Sequence, residues 1–265
     1  MSKAKKLYIG TSTKMFKNIA QTMDYFLDVC ENTKDISRED FELFAMPSFT
    51  ALHEVHKNIQ SEQIKLGAQN MCWEDEGPFT GEVSPLMLKE VGVQVVLIGH
   101  SERRHIMLET DEMVNKKTLC ALRNGFIPMV SIGETREQKN YGLSDEVLRT
   151  QLKIALNGVS ADQAKNIWVV YEPVWAIGDG GEPATKEYAE EKHCVIRKTL
   201  EELFGEDAAA QVTLIYGGSV NAETAPRLIM CRNVDGLFIG RSAWKSGESF
   251  AAIIRDVLSV WRNKE

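Results

Sequence analysis

A carboxylate, an imidazole and an amine, each at the end of an apolar run, are the groups with which this chain could move a proton on carbon. Glu172 follows the apolar run from Trp168 to Tyr171 and precedes Pro173. A carboxylate at the mouth of such a run is partly desolvated, which favours its use as a base. The other reading is a glutamate that caps a turn before proline. His100 ends the run VVLIGH and begins SERRH, where a helix is expected to start. Helix N-terminal N–H groups disfavour the imidazolium and can keep the ring neutral. A neutral ring can donate to a carbonyl oxygen as it becomes an enolate, although a lone histidine is more often structural. Lys14 follows the first apolar run. Its charge would attract a phosphate and stabilise a developing oxyanion, with a plain surface lysine as the alternative.

Phosphate capture needs backbone N–H groups that a ligand can approach closely. Gly217-Gly218-Ser219 and Gly240 supply small residues at the ends of the last two apolar runs. Two tight turns would look the same. Ala176-Ile177-Gly178-Asp179-Gly180-Gly181 reads as a loop whose glycines would let it fold over a ligand, or as a simple surface loop.

The elements that must position these residues are legible as eight short runs: LYIGTS, FELFAMP, IKLGAQN, VVLIGH, IPMVSIGE, WVVYEP, VTLIYGG and GLFIGRS. They are rich in Val, Ile and Leu without strict alternation, as expected of strands buried on both faces. Segments with helical spacing lie between them. Met113, Leu119 and Leu122 are expected to share a face of a helix from Asp111 to Asn124, which Gly125 ends. Ser84-Pro85 opens another helix, with Ser as N-cap and Pro at the first helical position. The last, from Glu248 to Asn263, places Ile253, Val257 and Trp261 at spacing four. Strands alternating with helices imply parallel pairing, and eight such units imply a single α/β domain over residues 1–265, a (β/α)8 TIM barrel. In such a barrel the reacting groups lie at the C-terminal strand ends, here Lys14, Asn70, His100, Glu134, Glu172, Ser219 and Gly240. The polar stretches Asp35 to Asp40, Glu134 to Gly142 and Asp179 to Thr185 are expected to be surface loops.

Composition bounds the rest. The chain has 265 residues, a formal net charge of −7 and no long basic run, which argues against nucleic-acid binding. No apolar run is long enough to span a membrane, and the basic start MSKAKK meets no signal-peptide core. The five cysteines (Cys30, Cys72, Cys120, Cys194, Cys231) are odd in number and form no C-x-x-C pair. They read as free thiols in a reducing cytoplasm rather than as a disulfide framework or a zinc site.

At this point the residues resemble a known family over nearly the whole chain. Gly67-Ala-Gln-Asn70, Thr80-Gly-Glu-Val-Ser-Pro85, Gly99-His-Ser-Glu-Arg-Arg104, Ile132-Gly-Glu-Thr135, Tyr171-Glu-Pro-Val-Trp-Ala-Ile-Gly178 and Tyr216-Gly-Gly-Ser-Val220 are similar to triosephosphate isomerases, in the same order. Triosephosphate isomerase is itself a standing example of a Glu base paired with a neutral His electrophile under a closing loop, so these roles arrive with the resemblance. The resemblance implies that Glu172 removes a proton from carbon, that His100 moves protons between two oxygens of an enediol(ate), and that Lys14 supplies positive charge. It implies that Gly178, Ser219, Gly240 and Arg241 present N–H groups to a phosphate, and that Glu102 supports the site beside Lys14. It implies no metal or organic cofactor, a small phosphorylated ketose or aldose as substrate, and a homodimer formed through the loop 70–82. Trp73 and Phe79 would then be buried by the partner, or would pack on their own chain.

The departures are informative. The family usually has Asn-Trp-Lys-Met-Asn after the first strand, where this chain has Ser12-Thr13-Lys14-Met15-Phe16. Ser131 stands where Cys is common, and Gly240-Arg241 replaces Gly-Gly. The Arg241 side chain has two readings, an anion contact or a surface ion pair. The far end of the lid is changed to Gly181-Glu182-Pro183-Ala184. Gly10-Thr-Ser-Thr-Lys-Met15, Ser84-Pro-Leu-Met-Leu-Lys89 and the close from Gly236 to Trp244 resemble the paralogous L-erythrulose-1-phosphate isomerases of erythritol catabolism. Thr13 departs from that group too, where Trp is usual. Their substrate carries one more hydroxymethyl on the carbon that loses its proton, and Asn to Ser at position 12 would make room for it. A glycolytic triosephosphate isomerase and a non-catalytic sugar-phosphate-binding barrel remain alternatives. An epimerase or aldolase lacks support, because no Schiff-base lysine or metal cluster is evident.

Overall fold

The eight apolar runs become strands because both faces of each are covered. The computed structural model describes residues 6–39, 41–178 and 180–264. The strands are β1 (Leu7–Ser12), β2 (Phe41–Met46), β3 (Lys65–Ala68), β4 (Val95–Ile98), β5 (Ile127–Ile132), β6 (Trp168–Tyr171), β7 (Thr213–Tyr216) and β8 (Gly236–Ile239). Each pairs in parallel with the next, and β8 pairs with β1 to close the ring. Helices fill the crossovers, so the fold is the (β/α)8 TIM barrel that the pattern implies.

Side-chain alternation divides the apolar residues into two layers. Phe44, Leu97, Met129, Trp168, Val170 and Phe238 fill the barrel interior with their neighbours. Ile9, Leu43, Val96, Val130, Val169 and Leu214 belong to the larger cluster packed beneath the helices. Two positions beyond an interior residue the chain again faces inward. Met129 is thus followed by Ser131, and Val170 by Glu172, at the C-terminal mouth of the barrel.

The helices carry the barrel. Ser84 caps the helix Pro85–Glu90 by accepting from the Leu86 N–H at 3.0 Å. The last helix, Gly247–Trp261, buries Ile253, Val257 and Trp261 as their spacing indicates, each worth roughly 1.5–3 kcal/mol against exposure. The helix Asp111–Arg123 differs from expectation. Its buried face is Val114, Lys117, Thr118, Cys120 and Ala121, while Met113, Leu119 and Leu122 are half-buried. The face is misread because it contains a buried lysine: Lys117 Nζ donates to Asn70 Oδ1 at 2.8 Å and to Glu109 Oε1.

The stretch from Glu134 to Gly142 is not simply a surface loop either. Residues Arg136–Asn140 form a short helix with a Thr135–Gln138 capping box. Glu134 is fully buried, accepting from Tyr171 Oη, Trp175 Nε1 and Tyr188 Oη. Three neutral donors let a carboxylate occupy a position that its type alone assigns to solvent. Residues 35–39 and 180–184 are irregular, as expected, and Asp40 and Asp179 lie outside the described residues. All five cysteines are free, with Cys72, Cys120 and Cys231 buried.

Candidate active site

Glu172 continues β6 by one residue, its N–H donating to Ile132 O at 2.9 Å. Two glycines are required by its position. A Cβ on Gly133 would sit 1.9 Å from the Glu172 carbonyl oxygen, and one on Gly217 would sit 2.7 Å from Glu172 Cγ. With both absent, the carboxyl group lies in the barrel mouth at 4% exposure. Its oxygens are divided. Oε2 accepts from the Ser131 hydroxyl at 2.6 Å, and Oε1 faces His100 Nε2 at 3.6 Å.

His100 follows β4 and is the N-cap of the helix Ser101–His105. The Glu102 backbone N–H points at its Nδ1 at 3.2 Å. A nitrogen can accept that bond only if it carries no proton, so the geometry describes the Nε2–H tautomer. The charged environment acts in the opposite sense. Burial works against charging the ring, but the Glu172 and Glu102 carboxylates outweigh it and raise its proton affinity above the usual value. The expectation of a neutral ring thus meets two opposed influences, the helix N-terminus on Nδ1 and the Glu172 carboxylate on Nε2. For Glu172, burial pushes the proton affinity up. The His100 ring, the Ser131 hydroxyl and the Lys14 charge outweigh it and hold the carboxyl below the ordinary range.

Lys14 has φ of 49°, a left-handed conformation uncommon outside glycine. Its neighbours hold it there. Its N–H donates to Ser12 Oγ at 3.2 Å, and its carbonyl accepts from Gln69 Nε2 at 2.9 Å. Gln69 Nε2 also reaches Met46 O at 3.0 Å, so the turn after β1 is tied to the end of β2. This over-determined turn, of the kind found at functional sites, leaves Nζ ion-paired with Glu102 Oε1 at 2.5 Å.

The residues expected to act on the sugar or to hold its phosphate meet at one cavity of about 380 Å³. Its wall includes Ser12, Lys14, His100, Glu102 and Glu172, together with Gly178, Ser219, Gly240 and Arg241. Asn70 and Glu134, the remaining strand-end residues, do not line it. Asn70 faces a second cavity of about 320 Å³ that shares Ser12, Lys14, Phe16, His100 and Glu102 with the first. Sequence reasoning misses two features of the site. Ser131 stands out in the sequence only as a departure from Cys, although the inward alternation after Met129 signals its direction. Phe16 and Trp244 stack across the cavity rim with centroids 4.8 Å apart, a contact between distant segments that no local pattern carries.

The proposed lid leaves the barrel through a 3-10 turn at Val174–Ala176. Trp175 is clamped there, its Nε1 on Glu134 and Lys139 Nζ lying 3.6 Å from its ring centroid. Arg136 pairs with Glu182 at 3.0 Å on the far side. The loop tip 76–82 stands exposed, and half-buried Trp73 packs edge-on against Phe79 of its own chain. Met15, Phe16, Phe49 and Met107 line the second cavity and are exposed. Among the described residues, no group of His, Cys, Asp and Glu could hold a metal ion, and no helix is long and apolar enough to cross a membrane.

A buried carboxylate, an imidazole with Nε2 directed at it and an ammonium group can relay a proton between carbon and oxygen without further help. Known proteins resemble the chain over most of its length. Residues 7–257 match the triosephosphate isomerase family. The chain is 43% identical over 253 residues to an L-erythrulose-1-phosphate isomerase of Rhizobium etli, covering 95% of this chain and 92% of that one. It is 42% identical over 242 residues to the protein of that name from Rhizobium meliloti, covering 91% and 93%. It is also 42% identical over 246 residues to a triosephosphate isomerase of Thermoanaerobacter pseudethanolicus, covering 93% and 97%. The chain belongs to the triosephosphate isomerase family.

Proposed function

We propose that the protein is a ketose-phosphate isomerase that interconverts L-erythrulose 1-phosphate and D-erythrulose 4-phosphate through a cis-enediol(ate). The observation that carries the reaction type is the approach of Glu172 Oε1 and His100 Nε2, 3.6 Å apart, in one cavity with Lys14. Glu172 takes the proton from C3 of the ketose. The Nε2–H of His100 protonates O2 as the carbonyl becomes an enediol oxygen, and the ring then takes the O3 proton. Glu172 returns its proton to C2, leaving the carbonyl at C3. Lys14 stabilises the negative charge on the oxygens, and Glu102 holds Lys14. The backbone at Gly178, Ser219 and Gly240 and the start of the helix Arg241–Trp244 receive the phosphate dianion. The chemistry needs no metal or organic cofactor.

The four-carbon substrate is favoured by position 12. Ser12 lines the cavity, and its hydroxyl is engaged by the Lys14 N–H. A short side chain there supports the loop without an amide filling the reacting end. The relatives named for L-erythrulose 1-phosphate point the same way. The triose phosphate is the second reading, because a relative named triosephosphate isomerase is almost equally similar. The exposed apolar residues Met15, Phe16, Phe49 and Met107 and the exposed tip 76–82 of the loop 70–82 support a homodimer, and five free thiols fit a reducing cytoplasm. Measuring kcat/KM with both sugar phosphates tests the substrate. The tetrulose phosphate is expected to be the better one, and a preference for dihydroxyacetone phosphate would defeat that assignment.

A further inference from the structure

We propose that Ser131 is a positioning residue for Glu172: its hydroxyl anchors Oε2 and so commits Oε1 to the substrate side of the cavity. This rests on the isomerase reading above and assigns a role within that site. Ser131 lies on β5, paired with Val170 of β6, and is 2% exposed. Its Oγ is 2.6 Å from Glu172 Oε2, the distance of a charge-assisted O–H···O bond. A serine hydroxyl has one proton to donate, and here it goes to the carboxylate. A thiol at this position would be a weak donor, so the bond depends on this chain having oxygen there.

The anchor has two consequences. It fixes the rotation of a carboxyl group that would otherwise present either oxygen, which matters because a misplaced base loses rate steeply. It also stabilises the charged form, which the pairing with His100 and Lys14 favours as well. The charged and titratable groups around Glu172 are His100 from the end of β4, Lys14 after β1, Glu102 on the helix Ser101–His105, and Arg241 in the cavity wall. Arg104, from that same helix, reaches the Ser131 carbonyl at 3.3 Å and holds the serine backbone.

The test is the pH dependence of kcat, whose acid limb reports the base in the enzyme–substrate complex, whereas kcat/KM also carries the substrate phosphate's own ionisation at about pH 6. Removing a donor from the ionised form raises the carboxyl's proton affinity. Ser131→Ala is therefore expected to move the acid limb up by about one pH unit, the scale of one charge-assisted hydrogen bond. Ser131→Cys, similar in shape and a weaker donor, is expected to move it in the same direction by less. A limb that stays in place in folded Ser131→Ala would overturn the proposal. Should the alanine variant fail to fold, an unmoved limb in Ser131→Cys would do the same. Absence of isomerisation by the wild-type enzyme with both sugar phosphates would instead remove the isomerase reading, and it is seen before any variant is made.

Discussion

The two sides of the active cavity are built differently. On the side of Glu172 and His100, the functional groups are side chains, 4% and 6% exposed, each fixed by at least one further partner. On the side of Gly178, Ser219, Gly240 and Arg241, the chain is exposed or half-buried and offers mainly backbone. The buried side can control proton affinity and direction, because burial and neighbouring charges act strongly there. The open side can take a solvated dianion and let it leave. Under the proposed function, reaction type and substrate retention fall to separate parts of one cavity, and the two should then fail separately under mutation.

The largest effect belongs to the buried side. Glu172→Ala should lower kcat by about 10³-fold or more, in line with the loss of a positioned base, with KM little changed. A comparable loss in KM alone, measured by steady-state kinetics, would mean that the carboxylate binds substrate rather than acts on it. Gly240→Pro should act on the open side. Gly240 has φ of −80° but ψ of −125°, outside the range of residues with a Cβ, so the substitution deletes one N–H and also distorts the strand end that presents its neighbours. KM should rise by about tenfold, the value of one hydrogen bond to a charged group, with kcat changed less. A collapse of kcat with KM intact would break the division between the two sides.

Ser12→Asn is the smallest change and acts at the seam. It retains an acceptor for the Lys14 N–H and fills space near the reacting carbons. The ratio of kcat/KM for triose over tetrulose phosphate should rise by roughly tenfold, the worth of a small steric difference in a fitted pocket. An unchanged ratio would move substrate choice elsewhere, with the Phe16–Trp244 rim as the next place to look.

Much of this arrangement is legible in the sequence for physical reasons. Strands buried on both faces must be nearly all apolar, so β4 and β6 stand out, and the first polar residue after each is His100 or Glu172. Legibility fails where a charge is buried with partners from distant segments. Lys117 sits in the core because Glu109 and Asn70 receive it, and Glu134 because Tyr171, Trp175 and Tyr188 surround it. The left-handed turn at Lys14 is likewise invisible locally, since Gln69 from another strand end holds it. The Ser131–Glu172 bond joins residues 41 apart and appears only once β5 and β6 are in register.

Proton exchange with solvent tests the central claim most directly, that Glu172 is a base acting on carbon. L-Erythrulose 1-phosphate incubated with the enzyme in deuterium oxide should acquire deuterium at carbon, at a rate that Glu172→Ala reduces to background. Exchange that proceeds equally well in Glu172→Ala, or its absence in the wild-type enzyme with both the tetrulose and the triose phosphate, would contradict the account.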